Sequence, residues 1–192
     1  EWAGGRLPTE AEWEYSARAG SPAASYGKLI DIAWYADNSG RSKLNSAELW
    51  ENRLPNAENY FSLLENNENQ AQPVGRKRSN GFGLYDMLGN VWEHCADWYG
   101  EKYYQVSEER DPKGPPGGEC PSYGRSDRSC RVMRGGDFSA PPVGVRASGR
   151  SFGTGSLAGG PGCSPATRSS AGGTAWDGWP SITPTCSTRS TY

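Results

Sequence analysis

The side chains best suited to redox or nucleophilic chemistry in this chain are its cysteines and its one histidine. The cysteines are Cys95, Cys120, Cys130, Cys163 and Cys186. Their number is odd and their spacing is wide, and no pair has the CxxC spacing typical of zinc and thioredoxin-type sites, so neither site is predicted. Cys120 and Cys130 are near enough in sequence to pair across a short loop in an oxidising compartment, and a reduced pair is equally compatible with the sequence.

His94 precedes Cys95 in an extended aromatic segment that we predict to be a core strand. Because neighbouring side chains on a strand point to opposite faces of the sheet, these two residues are not expected to form a nucleophilic pair. His94 is instead predicted to be partly exposed. A single histidine also excludes a histidine-rich metal site within this chain.

Residues 6–20, RLPTEAEWEYSARAG, carry a complete set of helix signals. Thr9 is the predicted N-cap, Glu12 completes a capping box three residues later, and Gly20 ends the helix. Glu14 and Arg18 have the i, i+4 spacing of a favourable ion pair. The helix is therefore predicted to be structural scaffold.

Four further segments have distinct patterns. Residues 34–72 are rich in Asn and Glu and predict a surface excursion with one short helix. Residues 73–99 form the densest motif and end in the predicted core strand. Residues 111–130 predict a loop, and residues 131–150 predict a strand, a Gly-Gly turn and a second loop.

Composition limits the classes of protein that fit. The 192 residues include 26 Gly, 14 Pro, 8 Trp and 10 Tyr, which predicts one loop-rich domain with an aromatic core. A net charge of -2 gives no basic field for nucleic acid, and no apolar run is long enough to span a membrane. Residues 1–5 contain no initiator Met and no signal-like pattern, which indicates either a removed signal or a fragment.

Three segments in order carry a resemblance to a known family: RLPTEAEWEYSARAG, PVGRKRSNGFGLYDMLGNVWEHCADWY and RVMRGGDFS. Across residues 1–150 the chain resembles the sulfatase-modifying-factor family, which includes formylglycine-generating enzymes. The resemblance implies an α+β domain related to the C-type-lectin fold, with little regular secondary structure. Residues 151–192 are dominated by Gly, Ser, Thr and Pro and lack the family's closing Gly-Phe-Arg signature, so this atypical segment is predicted to be disordered or out of frame.

The resemblance also implies a calcium site in the segment GLYDMLGNVWEH. Its ligands would be the side chains of Asp86 and Glu93 and the backbone carbonyls of Gly89 and Val91. Such a set of hard oxygen donors suits Ca²⁺. The alternative interpretation is that Asp86 caps the turn and Glu93 satisfies buried amides. The family's second calcium site has no matching pattern in residues 34–72.

Catalysis in the family uses two cysteines that follow a Gly-Gly turn and bind copper(I) as thiolates. Here the turn is at 135–136, and the corresponding positions fall on Ala140 and Val145. No cysteine lies between Cys130 and Cys163. We therefore assign no catalytic residue and expect neither a copper cofactor nor oxidation of a sulfatase cysteine.

Three functional hypotheses remain open from the sequence. The chain is a catalytically incomplete family member, a ligand-binding module with a diversified C-terminal surface, or one domain of a longer parent chain such as an iron-dependent sulfoxide synthase or a kinase fusion. The sequence is compatible with a peptide or a small molecule as ligand and with an extracytoplasmic location. It assigns no oligomeric state.

Overall fold

The computed structural model describes residues 4–52, 57–120 and 130–153. The helices of these residues are α1 (Glu10–Arg18), α2 (Leu29–Ile32), α3 (Ser46–Glu51) and α4 (Ala57–Asn66), with 3₁₀ turns at Tyr103–Gln105 and Pro142–Gly144. The strands are β1 (Glu93–Trp98), β2 (Arg131–Arg134) and β3 (Arg150–Gly153), which form one antiparallel sheet in chain order. The architecture is the predicted α+β arrangement, in which loops predominate.

Helix α1 begins and ends where its sequence predicts. Thr9 and Glu12 form the reciprocal capping box, so two amides at the first turn have partners. Ala19 adopts a left-handed conformation with φ 46°, and Gly20 follows with φ 84°. The helix buries Trp13 against the sheet, which makes α1 the main support of the core.

The hydrophobic core has two parts. The larger cluster surrounds Trp13 and includes Ile32, Leu88, Cys95 and Val132. The prediction of a surface excursion with one short helix in residues 34–72 is wrong, because α3 and α4 both form there. Tyr60 and Leu64, one turn apart on α4, build a second buried cluster with Ala36.

Strand β1 separates His94 from Cys95 as predicted. Cys95 is fully buried, whereas His94 is half-buried on the opposite face and pairs with Met133 of β2. Strand β2 then ends in the predicted Gly-Gly turn, where Gly135 and Gly136 both have positive φ. Strand β3 crosses the predicted boundary at residue 150, and residues 154–192 of the predicted C-terminal segment lie outside the described residues.

A buried ionic network ties α1 to the sheet. Arg134 is fully buried and contacts Glu14, and its Nη1 lies 3.3 Å from Glu10 Oε1. Arg150 Nε lies 2.8 Å from the same Glu10 oxygen, and the hydroxyl of Tyr104 donates to it at 2.7 Å. The predicted Glu14 and Arg18 pair is also present, but it lies at the half-exposed edge of the network. Burial makes the inner pairs depend on one another, because each charge needs its partner.

Cys120 and Cys130 are joined by a disulfide, which is one of the two states that the sequence allowed. Cys95 is a free thiol, and Cys163 and Cys186 lie outside the described residues. Within the described ranges, no helix combines the length and the apolarity needed to cross a bilayer.

Candidate metal centre

The turn before β1 has an unusual backbone that only particular residues can adopt. Asp86, Gly89 and Asn90 all have positive φ, at 54°, 76° and 64°. A Cβ at Gly89 would overlap the carbonyl of Trp34, so this position requires glycine. The amide of Asn90 donates to the same Trp34 carbonyl at 2.7 Å. Close backbone approach to Trp34 therefore fixes the conformation of the turn.

The Asn90 side chain fixes the turn from its other side. Its Oδ1 accepts from the Gln72 amide at 2.9 Å, and its Nδ2 donates to the Gln72 carbonyl at 3.0 Å. Sequence reasoning missed this role, although an Asn directly after a Gly is a recognisable signal for left-handed backbone. The two bonds hold the loop before the GLYDMLG segment against the turn.

Asp86 has one engaged carboxylate oxygen and one free one. Its Oδ2 accepts from the Gly75 amide at 2.6 Å, as a capping side chain would. Its Oδ1 is buried and has no hydrogen-bond partner among the described residues. An unsatisfied buried carboxylate oxygen is costly, so the capping interpretation accounts for only half of this side chain.

Glu93 is the first residue of β1 and is half-buried. Its Oε2 accepts from the indole Nε1 of Trp13 at 2.5 Å. Burial raises the pKa of Glu93, and the nearby negative charge of Asp86 raises it further, against the opposing effect of the Trp13 bond. The charge of Asp86 therefore disfavours the ionised form of Glu93.

The two carbonyls of the predicted ligand set lie in the same segment. No backbone amide of the described residues donates to the carbonyl of Gly89 or to that of Val91. No cluster of three or more His, Cys, Asp or Glu side chains that could hold a metal occurs in residues 4–52, 57–120 and 130–153. A metal at this turn would therefore depend on two carboxylates and on backbone carbonyls, a donor set that fits Ca²⁺ and not a soft metal.

The positions that correspond to the family's cysteine pair lie inside the core. Ala140 and Val145 are 0% and 1% exposed and belong to the larger cluster. The Ala36 amide donates to the Ala140 carbonyl at 3.0 Å, and Tyr60 donates through its hydroxyl to the Ser139 carbonyl at 2.8 Å. The loop is thus well anchored, but an alanine and a valine offer no ligand to copper.

Asp137, directly after the Gly-Gly turn, is a buried carboxylate that sequence reasoning did not single out. Its Oδ1 accepts from the amide of Ser139 at 3.0 Å and from the hydroxyl of Ser139 at 2.8 Å. Burial raises the pKa of Asp137 despite these bonds. Nothing in the sequence distinguishes it from an exposed turn aspartate, since its burial depends on contacts distant in the chain.

Comparison with known proteins agrees with the fold and with the motifs. Residues 1–160 match the sulfatase-modifying factor enzyme 1-like domain. The chain is 39% identical over 139 residues to a formylglycine-generating enzyme of Streptomyces coelicolor, covering 71% of this chain and 37% of that enzyme. The chain therefore belongs to the sulfatase-modifying-factor family.

Two other similarities extend beyond the enzymes of this family. The chain is 33% identical over 153 residues to a serine/threonine-protein kinase of Chlamydia caviae, covering 78% of this chain and 18% of the kinase. Among solved structures it resembles variable protein 1 of Treponema denticola, with a TM-score of 0.55 and 28% identity, covering 78% of this chain and 42% of that one. This chain spans less than half the length of each of these relatives.

Proposed function

We propose that this chain is a calcium-stabilised member of the sulfatase-modifying-factor family that does not perform the copper-dependent oxidation of cysteine. The observation that carries the calcium proposal is the buried, unpartnered Oδ1 of Asp86, in the same segment as Glu93, whose pKa the charge of Asp86 helps to raise. A cation at this turn would satisfy that oxygen and remove the repulsion between the two carboxylates.

The surrounding hydrogen bonds engage one oxygen of each carboxylate and leave the other oxygen available to a cation. Gly75 and Trp13 each occupy one oxygen of the two carboxylates, which orients Asp86 and Glu93. The carbonyls of Gly89 and Val91 would supply neutral oxygens. The backbone conformation at this turn requires glycine at position 89, because a Cβ there would overlap Trp34. Ca²⁺ accepts such mixed oxygen sets, and it would contribute charge neutralisation and rigidity rather than chemistry.

The proposed absence of oxidase activity rests on Ala140 and Val145. Copper(I) prefers soft thiolate ligands, and these two side chains provide none. Among the described residues the one free thiol belongs to Cys95, which is buried on β1. Burial raises its pKa to about 12, so the thiol does not ionise at neutral pH.

Thermal unfolding in calcium and in chelator tests the proposal. At a hundred-fold excess over the dissociation constant, calcium should add about 2.7 kcal/mol of stability, which raises Tm by roughly 5–10 °C. Asp86→Gly keeps the left-handed backbone without the carboxylate, and Glu93→Gln keeps an acceptor for Trp13 without the charge. Both variants should lose most of the calcium-dependent shift, whereas Glu101→Gln, at an exposed position, should keep it.

A second candidate function is ligand binding without chemistry. The likeness to the Treponema denticola variable protein supports it, because that chain has the same fold and is named for its variability. Sequencing this gene across related isolates would test it. Substitutions concentrated beyond residue 137 would favour a diversified binding surface, and an even distribution would contradict one.

A longer parent chain is the third possibility, and the similarity to the chlamydial kinase supports it. There the matching region makes up 18% of the protein. Reading the parent gene on both sides of these 192 residues would decide it. A continuous frame that encodes a further domain would support a fusion, and flanking stop codons would contradict one.

A further inference from the structure

The disulfide between Cys120 and Cys130 lies at the start of β2, the central strand of the sheet. Cys130 directly precedes β2 and is fully buried, and Cys120 is 8% exposed. The bond closes a ten-residue separation in the chain, whose intervening residues 121–129 lie outside the described residues. It therefore fixes the end of a long Pro- and Gly-rich loop to the beginning of a core strand.

Tyr99 forms a backbone bridge between the two segments that the disulfide joins. Its amide donates to the carbonyl of Cys130 at 2.7 Å, and its carbonyl accepts from the amide of Glu119 at 2.7 Å. The chain approaches closely here, since a Cβ on Gly118 would lie 2.8 Å from the Cys130 carbonyl oxygen and 3.1 Å from the Trp98 ring. The disulfide and the two hydrogen bonds thus join the same three backbone segments, which are those at Tyr99, at 119–120 and at Cys130.

The Tyr99 side chain connects this region to the buried ionic network. Its ring centroid lies 4.6 Å from that of Phe152, and the Arg150 guanidinium carbon lies 4.6 Å from the Tyr99 ring. Arg150 in turn bonds Glu10 of α1. Whatever holds Tyr99 in place therefore also supports β3 and the contact of the sheet with α1.

We propose that Cys120 and Cys130 form a redox-sensitive structural clasp that holds Tyr99 against the sheet, so that the domain is more stable with the disulfide formed than with it reduced. The clasp forms when two cysteine thiols exchange with a small-molecule disulfide such as glutathione disulfide. One protein disulfide and two glutathione thiols result, so two electrons and two protons pass to the reagent. An oxidising compartment favours this direction, and a reducing cytosol favours the reverse.

The surroundings indicate a structural disulfide rather than a catalytic one. Both sulfur-bearing residues are almost fully buried, so a protein-sized thiol cannot reach them without local opening. Cys95 is a poor competitor in exchange, because it is itself fully buried on the opposite side of β1 from His94. Pairing is thereby restricted to Cys120 and Cys130 among the described cysteines.

Peptide mapping of the purified chain without reductant tests the pairing. Trypsin should yield residues 114–125 linked to residues 129–131, with Cys95 alkylated as a free thiol in residues 79–102. The linked pair should separate after reduction with a phosphine. Cys120 or Cys130 recovered free, or bonded to another cysteine, would overturn the proposal.

Stability in the two redox states tests the clasp. A loop of this size should contribute enough that a phosphine lowers Tm by about 5–10 °C. The Cys120→Ser, Cys130→Ser double variant should have the lower Tm without reductant, and its Tm should not change when the phosphine is added. The Cys95→Ala variant should show the same decrease in Tm with phosphine as the wild type, whatever its own starting Tm. No shift in the wild type would refute the clasp. If the double variant fails to fold, reversibility of the wild-type shift in a glutathione buffer decides the matter.

Hydrogen exchange gives a local readout. Reduction should increase exchange at the amides of Tyr99 and Glu119, because their bonds lose the covalent restraint. Amides within α1 should change less. A uniform increase along the chain, or no increase at Tyr99 and Glu119, would contradict the proposed position of the clasp.

Discussion

The indole N–H of Trp13 donates to Glu93 Oε2, joining α1 to the first residue of β1 across 80 positions of sequence. Trp13 is also the largest side chain of the buried core. One residue thus supports both the packing of the domain and the orientation of a proposed calcium ligand. The scaffold helix and the candidate site are therefore coupled.

Trp13→Phe keeps an aromatic ring and removes the donor. Glu93 would lose its indole donor and the core would lose part of the indole volume, so we expect a loss of at least about 1–3 kcal/mol in the free energy of unfolding, measured in urea with calcium present. Tyr15→Phe, on the exposed face of the same helix, should change it by less than about 0.5 kcal/mol. Equal losses in the two variants would show that the indole of Trp13 does not contribute to the free energy of unfolding.

Arg134→Met should be among the most damaging single substitutions in the described residues. It removes a fully buried charge and takes one cationic partner from each of Glu10 and Glu14, which keep only Arg150 and Arg18, and we expect it to cost about 3–5 kcal/mol. Arg41→Met breaks the exposed contact with Glu68 and should cost far less. Chemical denaturation of the two variants measures the difference, and comparable losses would show that the network is not stabilising as a buried unit.

Asp137→Asn should change the dependence of stability on pH. The pKa of Asp137 is raised by burial, so between the ordinary aspartate pKa and the raised value the folded protein keeps a proton that the unfolded chain has released. Its contribution to stability is therefore present at low pH and is lost as pH rises through the raised pKa.

The free energy of unfolding measured from pH 4 to pH 8 tests this sign. The loss on raising pH should be smaller in Asp137→Asn than in the wild type, and Glu93 and Asp97, whose pKa values are raised as well, should preserve part of it. Asp111→Asn, at an exposed position, is the matched control. A steeper loss in Asp137→Asn would contradict the assigned direction.

Ala140→Cys combined with Val145→Cys should create a copper(I) site. Two thiolates would then occupy the positions that follow the Gly-Gly turn, in a loop already anchored by Tyr60 and Ala36. A competition titration under anaerobic, reducing conditions should show one more copper(I) bound by the double variant than by the wild type or either single variant. Formylglycine formed by the wild type in a sulfatase-derived cysteine peptide would contradict the proposed loss of activity.

The parts of the fold that the sequence predicts are those set by local chemistry. The capping box of Thr9 and Glu12 defines the start of α1 without reference to the rest of the chain. The strand of His94 and Cys95 and the positive φ at 135–136 follow from alternation and from glycine. These signals act over a few residues, so a single sequence displays them.

The parts that escape prediction depend on contacts distant in the chain. Tyr60 lies in an Asn- and Glu-rich segment, and it is buried because it packs with Ala36 and donates its hydroxyl to the Ser139 carbonyl, 79 positions away. Arg134 resembles a surface residue of a strand until Glu10 and Glu14 are brought beside it. The free oxygen of Asp86 is likewise visible only once Gly75 is seen to occupy its other oxygen.

Calcium titration by isothermal calorimetry tests the central proposal most directly. The wild type, stripped of metal with a chelator and shown to be folded, should bind one Ca²⁺ at the Asp86 turn. Asp86→Gly should abolish that binding, and Glu93→Gln should weaken it by at least about ten-fold. A folded wild type that gives no binding heat and no calcium-dependent change in Tm would contradict the site, and Asp86 and Glu93 would then be purely structural.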